Sequence, residues 1–212
     1  LGIYGQNFKI AVIMVMFTQA FRYAFEPFIF ARNKHAADDR QPFSDATRYF
    51  ILLGLLIFLL TTGYIDIIKY LIPERFHVGL KVVPIVLLGE LFFGVYFNLS
   101  LWYKLTDQTR WGAYMSLFGF GITILINVLF IPRYGYMACA WASFIANLAM
   151  MVVSYILGQK RYPIPYNLKS AGLSFLLAVR LFGGITLVYR HVEGLWVRLL
   201  INTMLIGAYA AV

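Results

Sequence analysis

Long apolar runs separated by short polar breaks dominate the chain, at residues 8–30, 47–72, 78–103, 111–131, 135–157, 168–189 and 193–212. A membrane-spanning helix needs about 20 mostly apolar residues. The pattern therefore predicts an all-α, multi-pass integral membrane bundle of about seven transmembrane helices. The runs are too long for the strands of a membrane barrel, which are about 10 residues, and they lack the period-two polarity of such strands. Most breaks are short (73–77, 106–110, 132–134, 158–167 and 190–191), which sets successive spans antiparallel. The stretch 31–46, ARNKHAADDRQPFSDA, is the exception and reads as a solvated loop, with at most a short surface helix.

Composition agrees with the pattern. Of 212 residues, 61% are hydrophobic and 13% charged, against roughly a quarter charged in soluble domains. The net charge of +9 would suggest nucleic acid in a soluble protein. Here the cations lie mainly between the apolar runs, where the positive-inside rule and anionic lipid account for them, and no nucleic-acid partner is expected.

Basic residues also orient the bundle. Arg32, Lys34, Arg40, Arg48, Lys104, Arg110, Lys160, Arg161 and Lys169 follow the first, third and fifth spans, nine in all. Seven lie on the other side: Lys9, Lys69, Arg75, Lys81, Arg133, Arg190 and Arg198. The bias, though slight, places the 31–46 loop in the cytoplasm. Trp102, Tyr103 and Trp111 bracket the 106–110 break as an interfacial aromatic belt would. The chain begins at Leu1 and stops at Val212 inside an apolar run, the pattern expected of part of a longer protein.

Polar residues inside the spans are the candidates for function. Gln19, Arg22, Tyr23 and Glu26 fall at i, i+3, i+4 and i+7, on one helical face. A central charge facing lipid costs about 2.5 kcal/mol or more, so this face turns towards protein or a wet cavity. Either it is a structural ion pair that fixes helix packing, or it is the wall of a substrate or ion path. Pro27 removes a backbone donor and can kink or break the helix just after Glu26, which favours the second reading.

Glu90 lies mid-span with no cation at helical spacing in its own run, so it needs a partner elsewhere, water, or a proton. That makes Glu90, with Glu26, a candidate for ion coupling. Its span also carries Pro84, Gly94 and Asn98. Asp66 is expected to pair with Lys69 or Tyr70 near the membrane edge. Ser116, Thr123 and Asn127 share one face of the fourth span, as do Ser143, Asn147 and Ser154 in the fifth, beside the small residues Ala138, Ala142 and Ala146. Such spacing reads as helix-packing seams. Arg180 sits in apolar context and would snorkel or line an interhelical groove.

The chemistry of covalent catalysis is missing from the pattern. There is no GxSxG, HExxH or P-loop, and the 31–46 loop offers only His35, Asp38, Asp39 and Asp45. Cys139 is the single cysteine, which excludes an intrachain disulfide and any site of several thiolates. His35, His77 and His191 show no ligand spacing. The chain reads as a non-enzyme with no metal and no cofactor.

Four stretches carry a resemblance to a known family: LGIYGQNFKI at 1–10, QAFRYAFEPFIF at 19–30, YFNLSLWYKLTDQTRWGAY at 96–114 and TILINVLFIPRYGYMACAWA at 123–142. In this order they resemble the C-terminal half of bacterial polysaccharide-biosynthesis flippases. Those are the O-antigen and exopolysaccharide translocases of the multidrug/oligosaccharidyl-lipid/polysaccharide exporter superfamily. The resemblance covers most of 1–157 and implies a C-terminal lobe there, followed by an extra, truncated helix pair at 158–212.

It further implies an inner-membrane protein of two lobes, one of them absent here, that flips oligosaccharide on an undecaprenyl-pyrophosphate carrier by alternating access. Partners would be that lipid-linked oligosaccharide, membrane lipids, the missing N-terminal lobe and polysaccharide polymerase machinery. Arg22 is the position that matches the family's cavity cations, with Gln19 and Glu26 as neighbours. The alternatives are a cation-coupled multidrug exporter or a lipid-precursor flippase of the same superfamily, or a structural subunit of a polysaccharide assembly complex.

Overall fold

The structure, a computed structural model, describes residues 2–35, 40–192 and 194–210, without the side chains of 30–35 and 210. It is helical from end to end of that range, with no strand among the described residues. The order is α1 (Gly2–His35), α2 (Gln41–Gly63), a short α3 (Ile65–Ile68), two 3-10 segments (Lys69–Leu71 and Glu74–Val82), α4 (Val83–Leu99), α5 (Leu101–Leu105), α6 (Arg110–Tyr134), α7 (Tyr136–Arg161), α8 (Leu168–His191) and α9 (Leu195–Ala210).

Six segments are long and apolar enough to cross a membrane: Gly2–Ile29, Gln41–Gly63, Glu74–Leu105, Arg110–Tyr134, Tyr136–Arg161 and Leu168–His191. The seventh expected run, 193–212, holds the apolar helix α9, which has 16 described residues.

Two expectations change. The chain does not leave the helix at residue 30 or break at Pro27; α1 runs through Pro27 to His35. With α2 starting at Gln41, most of the 31–46 stretch is helical rather than loop. Its Asp38 and Asp39 lie outside the described residues, as do the side chains of Arg32, Lys34 and His35.

Local sequence explains several boundaries. Pro42 and Pro84 occupy the first turns of α2 and α4, where a missing N–H costs nothing and the fixed φ suits the helix. Asn167 caps α8, its side chain accepting from Ser170 N at 3.1 Å. Gly135 joins α6 to α7 at φ +56° and ψ −134°, a conformation closed to residues with a Cβ. That turn is why α6 can run through Pro132 to Tyr134 and reverse at once.

α4 is the hub of the bundle. It packs against α7, α1 and α2, while α8 and α9 pack on α2, and α6 packs on α7. Buried side chains of α1, α2, α4, α8 and α9 form one continuous core that includes Met14, Phe50, Leu87, Leu91, Ile185 and Ile206.

Close approach is set by small residues. A Cβ added to Gly89 would stand 3.2 Å from the Phe144 backbone, and Ala138, Ala140, Ala142 and Ala146 of α7 are buried. Glycine and alanine thus let α4 and α7 meet nearly backbone to backbone. Antiparallel succession puts Arg40 and the 106–109 and 162–167 connections at one end of the bundle. Contacts there include Arg40 Nη1 donating to Pro163 O at 2.8 Å and Ser44 Oγ to Pro165 O at 2.7 Å.

Candidate functional site

α1 carries Arg22 and Glu26 one turn apart, and Arg22 Nε donates to Glu26 Oε1 at 3.1 Å. The same oxygen accepts from Lys104 Nζ on α5. One carboxylate is therefore shared by two cations, with side chains 35%, 26% and 23% exposed for Arg22, Glu26 and Lys104. The cluster keeps one surplus positive charge. It sits near the end of the Gly2–Ile29 span rather than at its middle, because α5 follows α4 at that end.

The Arg22 guanidinium also lies over the Phe97 ring, 4.8 Å from its centroid, a cation–π contact that holds the charge against an apolar wall. Phe25, Asn98 and Leu101 complete this small recess. Asn98 is buried, and its Nδ2 finds no partner among the described residues. Gln19 is half-buried, whereas Tyr23 is 76% exposed and does not line the recess.

Phe97 is shared with a larger feature. On its other side a groove of about 440 Å³ opens between α4, α6 and α7, lined by Phe93, Tyr96, Tyr103, Ser116, Thr123 and Asn147, among others. Tyr96 and Tyr103 place their hydroxyls 3.3 Å apart at its wall. The groove combines ring faces with hydroxyl and amide groups. The charge cluster lies one ring away.

The remaining polar residues fall in different places. Asn147 Nδ2 donates to Gly89 O at 3.1 Å, across the α4–α7 contact. Ser143 Oγ lies 3.4 Å from Tyr4 Oη on α1, and Tyr4 is within electrostatic reach of Glu90. Glu90 itself is half-buried and forms no hydrogen bond or ion pair among the described residues.

Thr123 donates to the Gly119 carbonyl of its own helix at 2.9 Å, and the buried Asn127 Oδ1 has no partner. Arg180 is exposed. Asp66 bridges Lys69 at 3.1 Å and Arg198 at 3.4 Å, tying the α3 turn to α9.

Sequence reasoning passed over Lys104 and Phe97. Lys104 follows Trp102 and Tyr103, so it read as an ordinary interfacial cation. Its partner lies 78 positions away, and no local signal points to it. Comparison with protein-family models, with curated proteins and with solved structures finds no match to this chain.

Proposed function

We propose that this chain is part of a membrane transporter that moves a lipid-linked, phosphate-bearing saccharide between leaflets, with no covalent chemistry. The observation that carries the reading is Glu26 held between Arg22 and Lys104 beside the Phe97 wall of an open groove. Among the described residues these three charges leave one positive charge over in a partly buried recess near the end of the span, where the Phe97 wall strengthens a contact to phosphate. The rings and hydroxyls of the groove suit a ligand with both apolar faces and many hydroxyl groups. Likeness of the four sequence stretches to polysaccharide flippases agrees with this substrate class, with an undecaprenyl-pyrophosphate carrier and with residence in a bacterial inner membrane.

The test is export of surface polysaccharide in cells carrying Arg22→Ala or Lys104→Ala in the native gene. Loss of export with membrane insertion intact is the expected result, with lipid-linked sugar accumulating inside. Normal export in both variants sinks the reading.

A second reading, cation-coupled export, draws on Glu90, a half-buried carboxyl with no protein cation against it. Under that reading Glu90→Gln removes ion dependence from transport. Under the first it leaves export unchanged.

A further inference from the structure

A second cationic pocket lies away from the Arg22 cluster, on the opposite flank of α6. Gln108, Arg110, Trp111, Tyr114 and Arg161 line an open concavity of about 430 Å³ where the 106–109 turn meets the end of α7. Arg161 is held in place: its Nη1 donates to Gln108 Oε1 at 2.5 Å, and its guanidinium lies 4.6 Å from the Trp111 ring centroid and 5.7 Å from that of Trp102.

Arg110 is exposed and makes no hydrogen bond or ion pair among the described residues. Asp107, the only carboxylate in the turn, pairs with neither arginine. Thr109 gives α6 no side-chain cap, so the positive end of that helix dipole adds to the two guanidiniums. The arrangement is a fixed cation, a free cation and an uncapped helix start, with an indole and a phenol alongside. Among the described residues nothing anionic answers it.

What continues from the pocket decides the ligand. Along the same face of α6 follow Tyr114, Leu117, Phe118, Leu125, Val128 and Leu129, at i+4, i+7, i+8, i+15, i+18 and i+19 from Arg110. They are between 42% and 68% exposed. Gly121 lies on this stripe, and a Cβ built there would meet nothing within 4 Å. A soluble anion would use the pocket alone. A phospholipid uses both, with its phosphodiester between the guanidiniums and an acyl chain along the stripe.

We infer that Arg110, Arg161 and Trp111 form a binding site for the headgroup of an anionic phospholipid, with the exposed face of α6 as its acyl track. This site is independent of the transport reading, because it shares no residue with the Arg22 cluster or the groove.

Tryptophan quenching in nanodiscs tests it, using the whole chain in phosphatidylcholine doped with brominated phosphatidylglycerol or brominated phosphatidylcholine. Each arginine near an anionic surface contributes about a fivefold preference. Half-maximal quenching is therefore expected at a mole fraction of brominated phosphatidylglycerol at least about fivefold lower than of brominated phosphatidylcholine. Trp111→Phe removes the excess quenching.

Arg110→Gln, whose native side chain bonds to nothing among the described residues, reduces the preference, and Arg110→Gln with Arg161→Gln abolishes it. Equal quenching by the two lipids overturns the proposal, as does a preference that survives Arg110→Gln unchanged. Relief of quenching by millimolar inorganic phosphate shows a soluble-anion site instead and overturns the lipid assignment.

Discussion

α4 and α6 are matched in mean hydropathy over their most apolar stretches, yet 56% of that stretch is buried in the span containing α4 and 11% in α6. The difference lies in small residues and their neighbours. α4 presents Gly89 to the Phe144 backbone and Gly94 to the Phe50 ring and the Thr18 hydroxyl, so three helices can close on it. α6 buries Met115 and Gly119 against α7 and leaves the rest of its surface outward. In lipid, apolar surface alone does not draw helices together, because the acyl chains are equally apolar; packing and hydrogen bonds do. Two equally oily helices thus end as hub and rim.

The sharpest way to break this contrast is at the glycines. Gly94→Val drives a Cβ into the Phe50 ring and is expected to cost about 3 kcal/mol, the upper part of the usual overpacking range. Gly121→Val on α6 meets open space and stays within about 0.5 kcal/mol. Thermal unfolding of both in one detergent measures the gap. Equal losses would mean that α6 has a partner the present contacts do not show.

Leu87→Ala, at a fully buried position of α4, should lose about 2 kcal/mol through the cavity it leaves. Leu125→Ala, 60% exposed on α6, should be near neutral by the same measurement, since its contacts are replaced by detergent.

The Arg22–Glu26–Lys104 cluster sits where hub meets α1, and a double-mutant cycle of Glu26→Gln with Lys104→Met tests it. The expected coupling is about 1 kcal/mol, reduced because about a quarter of each side chain is solvent-accessible. Zero coupling would mean the pair is a surface contact with no bearing on packing. The smallest effect belongs to Arg180→Gln on α8, an exposed cation with no partner among the described residues, expected within about 0.5 kcal/mol.

Much of the helical layout was legible because it is local. Run lengths and the breaks between them are read within a few residues of where they act. The ion pair of Arg22 with Glu26 was equally plain from i, i+4 spacing. Where reading failed, a longer-range balance had decided. Pro27 looked like a helix end, but removing one backbone donor does not outweigh an apolar helix packed on its neighbours on both sides of it, at Phe25 and Ile29.

Sequence by itself determined that the chain forms helices long and apolar enough to cross a membrane, and it placed a charged stripe on α1, because run length and helical period are properties of consecutive residues. Tertiary structure alone decided that Lys104 joins that stripe, that Phe97 separates it from an open groove, and that Arg110 and Arg161 share a second pocket. Those residues lie on different helices, and helices meet by the fit of their surfaces, which no one-dimensional period records.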